Sequence, residues 1–122
     1  MTGMGTFHVK FTLKNPVHPD RSVQLEGLVD SGAHFSQVPR DVLERIGIVP
    51  FGTRRVQYAD GTVVTKPVAS AEILIEQDVT PAVVLSGDPN DLILIGATTL
   101  ESLGLGIDPI RKVLTPLVVP QA

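Results

Sequence analysis

The chain has no cysteine and no tryptophan, and it carries one tyrosine and four phenylalanines in 122 residues. Without cysteine there is no disulfide framework, no thiolate nucleophile and no sulfur-built zinc site. With aromatics at 4%, Val, Leu and Ile must fill the core, and branching at Cβ in Val and Ile favours strands. Charge is also scarce: charged residues make up 19%, the net charge is −3, and no Lys/Arg cluster is longer than Arg54 and Arg55. Nothing here attracts a phosphate backbone, so nucleic acid is not an expected partner. No apolar run approaches the length of a membrane span, and "MTGMGTFHVKFTL" lacks the charged start and continuous apolar stretch of a signal peptide. The expectation is a cytoplasmic protein with no membrane partner.

Several site chemistries are missing too. His8, His18 and His34 match no metal-ligand spacing. No serine sits in a Gly-x-Ser-x-Gly elbow, and no glycine-rich loop has the Gly and Lys spacing of a phosphate cradle. Asp88, Asn90 and Asp91 make an acidic turn, but Pro89 interrupts it and no Glu or Gly follows at calcium-loop spacing. Neither a metal nor a cofactor is expected.

What remains is a β-rich chain of 43% apolar residues, long enough for one domain, residues 1–122, with a real core. "FHVKFTL" alternates Phe7, Val9, Phe11 and Leu13 with polar residues, the period of a half-buried strand. The turn Asn15 to Ser22 and the run "VQLEGLV" complete a hairpin that ends at Asp30. "PRDVLERIGI" has helical spacing and ends at Gly47. Two β-rich runs flank Asp60 and Gly61, a strong hairpin signal. "TPAVVLSG" and "DLILIG" are expected buried strands. "TTLESLGL" is expected to be a second short helix, with Thr98 and Glu101 at capping-box spacing. Pro116 in "KVLTPLVVP" restricts that run to an edge strand.

One order of elements occurs twice. "GLVDSGA" leading to "DVLERIGI", and "LILIGA" leading to "LESLGL", both run from apolar strand through Gly-Ala to a short helix. With Gly32 laid over Gly96, Asp30 falls on Leu94, so one acid serves two related halves. A carboxylate at the end of an apolar strand needs donors for its charged form, such as backbone N–H groups or Ser31. Two such carboxylates brought together share a proton, and one then serves as base while the other serves as acid. This chain supplies one.

"LVDSGA" resembles the Asp-Thr/Ser-Gly-Ala motif of the aspartic peptidases. The order after it, an Asp-Gly hairpin and then "LILIGATTLESLGL", is similar to the retropepsin-like branch of single-domain dimeric enzymes. The resemblance runs from about Phe7 to Leu114. It implies a mostly β fold: a closed acid-protease barrel with two short helices and a β-hairpin flap. It further implies a homodimer acting on an extended peptide, with Asp30 as the catalytic acid. Ser31 would bond to the partner chain, Gly32 would let a substrate backbone approach, and Ala33 and His34 would line the cleft. Tyr58, Asp60 and Gly61 belong to the flap and are expected to meet substrate. His34 departs from the acidic or small polar residue common there in the viral enzymes, and the hairpin has fewer glycines than theirs. Those departures motivate an alternative: a catalytically inactive dimeric module of the same fold that binds peptides or assembles a complex.

Overall fold

The computed structural model describes residues 6–122. The first five residues, part of the opening stretch and of the expected 1–122 domain, lie outside the described residues. In chain order the elements are β1 (Phe7–Lys14), β2 (Ser22–Val29), β3 (Ser36–Pro39), α1 (Arg40–Arg45), β4 (Gly52–Gln57) and β5 (Val63–Ile75). They continue with β6 (Asp78–Gly87), β7 (Leu94–Ile95), α2 (Ala97–Leu103), β8 (Leu105–Asp108) and β9 (Val113–Pro116).

Alternation in the sequence becomes inside and outside in the sheet. Phe11 and Leu13 of β1 are buried, while His8 and Lys10 face out. β1 pairs antiparallel with β2 from Phe7↔Val29 to Lys14↔Ser22, the hairpin expected from the sequence. β1 also pairs with β5 at Thr12↔Leu74, Leu13↔Ile73 and Lys14↔Glu72. This second pairing bends the seven-stranded sheet, ordered β1-β2-β7-β3-β6-β5-β4, back onto itself. The result is a mostly β, ring-like sheet rather than a regular barrel: β4 hangs outside the ring on β5, and β7 contributes two residues. Inside it pack Leu13, Val29, Val38, Ile73, Val84 and Ile95, all fully buried, with Leu43 of α1 and Leu100 of α2 closing the core.

The Pro116 run is an edge strand, as expected, and pairs with Leu105 to Asp108 in a separate two-stranded sheet. Two details differ from the sequence expectation. Only Leu94 and Ile95 of "DLILIG" form a strand, because Leu92 is exposed and the chain is still turning there. The expected capping box is absent. Gly96 is the N-cap of α2, and the Thr98 hydroxyl donates instead to the His34 carbonyl at 2.9 Å. The first turn of the helix meets the loop after Asp30, whose carbonyls accept its free N–H groups: Ala97 to Ala33 at 2.7 Å and Thr98 to His34 at 3.1 Å. Tertiary partners have taken over the role of a local cap.

β5 couples the exposed hairpin to the core. Over thirteen residues its first part pairs with β4 and its second with β6, so one continuous strand joins the two regions. Any force on the hairpin is therefore felt by the ring.

Candidate active site

Asp30 immediately follows β2. Its N–H donates to the Ile95 carbonyl at 3.0 Å, which continues the parallel pairing Leu28↔Leu94 and Val29↔Ile95 by one step. The strand then breaks. The Ala33 N–H donates to the Asp30 carbonyl at 3.1 Å, and the Gly32 N–H donates to Asp30 Oδ1 at 2.9 Å, so the turn folds around the carboxylate and holds one of its oxygens. A Cβ at Gly32 would lie 3.1 Å from that same oxygen, which keeps position 32 narrow. Asp30 is half-buried and Ser31 is exposed.

A second pair of hydroxyls, invisible in the local sequence, supports this turn from behind. Ser36 Oγ and Thr99 Oγ1 lie 2.6 Å apart, both buried, and Ser36 Oγ also accepts the Gly96 N–H at 3.0 Å. They are 63 residues apart in sequence. Gly96 is the most crowded of the described glycines: a Cβ there would come within 2.5 Å of the Phe35 carbonyl carbon and 2.9 Å of the Ala33 oxygen. Backbone cannot yield as a flexible side chain can, so the loop after Asp30 and the start of α2 interlock only with glycine at 96.

Asp30 opens onto a cleft of about 680 Å³. Gly32, Ala33 and His34 line it from the loop, and Tyr58 lines it from the hairpin, so four of the residues singled out from the sequence meet Asp30 in one place. Ser31, Asp60 and Gly61 are not in its wall. Asp60 and Gly61 form the exposed tip, where Asp60 Oδ1 accepts the Thr62 N–H at 2.9 Å and Gly61 has φ 88°. That bond from Thr62 holds the Asp60 carboxyl below its ordinary range.

Several lining residues belong to no sequence motif. Leu28, Leu85, Leu92 and Leu94 make much of the surface apolar, Arg55 and Asp91 place opposite charges on it, and Gln37 adds a carboxamide. Gln37 lies in the buried strand "SQVP" and gives no sign of its role until its partners are known, and the leucines are brought together only by the closing of the ring. Beside the cleft, Lys66 of β5 reaches Asp88 at 3.2 Å and Asp91 at 3.6 Å. Desolvation pulls the Lys66 ammonium down, but the hydrogen bond to Asp88 and the charges of Asp88 and Asp91 raise the group overall. Among the described residues, no group of three or more His, Asp or Glu is placed to hold a metal ion, and no helix is long and apolar enough to cross a membrane.

An acid on a strand end, a hairpin beside it and a glycine-to-helix segment braced against its loop together define the retropepsin-like architecture. The sequence profile of the aspartyl protease family matches residues 17–109, and the chain belongs to that family. Among solved structures, the chain is similar to the solution structure of simian foamy virus (mac) protease. That match has 22% identity and a TM-score of 0.56 over 78% of this chain and 92% of that one. It is also similar to the foamy viral protease-reverse transcriptase solved in complex with an RNA/DNA hybrid, at 15% identity and a TM-score of 0.55. The match covers 93% of this chain and 13% of that larger one. No curated protein sequence matches. The two viral structures establish the fold, and family and fold together support a peptidase.

Proposed function

We propose that this protein is an aspartic endopeptidase active as a homodimer, in which Asp30 and its copy from a second chain activate one water. The observation that carries this reading is the Asp30 turn: a half-buried carboxylate, one oxygen held by the Gly32 N–H, opening onto a largely apolar cleft beside a hairpin. The cleft has the lining expected for an extended peptide, which would lie as an added strand beneath the hairpin acting as a flap. One chain holds half of the chemistry, because the residue of the second strand that the repeated pattern lays over Asp30 is Leu94. Support for a second copy comes from the tail. Past β9, which pairs only with β8 among the described residues, Leu117, Val118 and Val119 are exposed in succession. Apolar surface next to an open strand edge favours association.

In the dimer the two carboxyl groups share one proton. The ionised partner takes a proton from water as the water oxygen bonds to the scissile carbonyl carbon, while the protonated partner gives its proton to the carbonyl oxygen. Collapse of the tetrahedral intermediate breaks the C–N bond: the protonated carboxyl gives its proton to the departing amine, and the ionised one takes a proton from a hydroxyl as the carbonyl reforms, which restores the shared-proton pair. No covalent intermediate with the enzyme forms. Ser31 is assigned to contacts with the partner loop, and Gly32, Ala33, His34 and Tyr58 to the bound peptide. Asp60 and Gly61 shape the tip that closes over it. Activity is expected to peak at mildly acidic pH, where the pair keeps one proton.

The test is Asp30→Asn. Purified mutant should remain dimeric by sedimentation and should not cleave an unstructured, apolar-rich peptide pool between about pH 4 and 7, the span in which a shared-proton pair titrates. Hydrolysis retained by the mutant would overturn the mechanism.

A further inference from the structure

One hydrogen bond between side chains joins the hairpin to the floor of the cleft: Tyr58 to Gln37. Gln37 is 4% exposed and lies in β3, a four-residue strand that is buried throughout. A carboxamide in such a place costs stability unless it is hydrogen-bonded, and an apolar residue would fill the space without that demand. Here both ends of the amide are used. Gln37 Nε2 donates to the Leu92 carbonyl at 3.1 Å, which turns Oε1 toward the hairpin, and the Tyr58 phenol donates to Oε1 at 3.3 Å.

Tyr58 is well placed to carry that contact into the hairpin. Its N–H donates to the Thr62 carbonyl and its own carbonyl accepts the Gly61 N–H, both at 2.9 Å, so its backbone frames the turn. Where Tyr58 goes, the tip goes. The same segment that Gln37 grips at Leu92 is tied to the hairpin's other strand by Lys66, through Asp88 and Asp91. The floor and the hairpin thus meet at two points, one neutral, at Gln37 and Tyr58, and one charged, at Lys66 with Asp88 and Asp91.

We propose that Gln37 is a positioning residue: its buried amide docks Tyr58 and so sets where the hairpin tip stands over the Asp30 turn when a peptide is held. This rests on the peptidase reading for its consequence, though not for the contact itself. An undocked tip spends part of its time away from the cleft, which weakens the grip on substrate while leaving the Asp30 turn intact.

The molecule carries its own probe, since Tyr58 is its one tyrosine and tryptophan is absent. All tyrosine emission reports the hairpin. The experiment compares the intact wild-type chain with Gln37→Met, Tyr58→Phe and the double variant, reading tyrosine emission, its quenching by acrylamide, and cleavage of the same peptide pool. Gln37→Met should change the emission and make it more readily quenched. Each single variant should raise KM about two- to tenfold, the worth of one hydrogen bond between neutral groups, with kcat little changed. The double variant should be no worse than the worse single one. Unchanged emission in Gln37→Met overturns the docking. Additive KM effects overturn it too, because a Gln37 that merely held Leu92 would leave the Tyr58→Phe effect at full size. Should Gln37→Met fail to fold, Gln37→Asn, which keeps a carboxamide but draws it back from the hairpin, takes its place: emission more readily quenched than in the wild type supports docking, and unchanged emission refutes it. If the wild-type chain cleaves nothing while Gln37→Met still alters the emission, the peptidase reading fails and the docking contact stands.

Discussion

β2 and β7 lie side by side and parallel, and their ends differ in every respect that matters for chemistry. One ends at Asp30, in a turn that leaves the carboxylate half-exposed on a cleft. The other ends at Gly96, sealed against the backbone of Ala33 and Phe35, and passes straight into α2. The lesson is a division of labour between two neighbouring strand ends. Where the sheet register sets Asp30 beside Gly96, one strand end presents a side chain and the other has none, because the loop that shapes the Asp30 turn fills the space a side chain at 96 would occupy.

That contrast can be broken from either side. The largest effect is expected in activity: Asp30→Asn should lower kcat by at least about 10²–10⁴-fold, the range for losing a group that moves protons. Its melting temperature should stay near wild type, as seen by calorimetry. Gly96→Ala should do the reverse, costing roughly 3 kcal/mol or more in denaturant titrations, since the added methyl meets backbone and cannot be accommodated by a rotamer change. Gly32→Ala sharpens the comparison. Its Cβ would press only on the Asp30 carboxylate at 3.1 Å, so it should disturb turnover more than stability.

Next in size are the hydroxyls that join the two ends. Ser36→Ala leaves Thr99 Oγ1 and the Gly96 N–H buried without their partner, and should cost about 1–3 kcal/mol. Adding Thr99→Val should cost less than its effect in the wild-type background, which a double-mutant cycle by urea unfolding would measure.

The smallest effect belongs to Lys66, where one carboxylate partner is largely exposed and the pair is worth less than about 1 kcal/mol. Folding raises this ammonium above 10.5, so the stability it adds is fully present below that pH and is lost as pH rises through the higher folded value. The stability difference between wild type and Lys66→Met should therefore be flat from neutral pH to about 9 and shrink at stronger alkali. A difference that grew with pH would break this assignment.

Local pattern made much of the architecture legible. The alternation of Phe7 to Leu13 marks β1, the Asp60-Gly61 pair marks the hairpin, and Gly47 and Gly104 close the two helices with φ of 75° and 68°. These features are decided within a few residues, where backbone preference and burial pull the same way. The capping box at Thr98 failed because the helix starts earlier than its pattern suggests: Gly96 is the N-cap, Thr98 lies inside the first turn, and its hydroxyl donates to the His34 carbonyl 64 residues away. The roles of Gln37 and Ser36 were not legible, because a polar residue in a short apolar run has no local meaning until its partner is known.

The sequence by itself determined that there is one acid to work with, that it stands between a strand and a Gly-Ala turn, and that a hairpin and a second glycine-to-helix segment come after it. Only the tertiary structure decided which residues surround that acid. Closing the ring through β1 and β5 places Tyr58 over Gln37, seats the Asp30 loop against Gly96 and brings the leucines of distant strands to one cleft. Hydrogen bonds and packing across long separations carry no trace in local periodicity, because their free energy depends on which strands become neighbours and not on the order in which residues are joined.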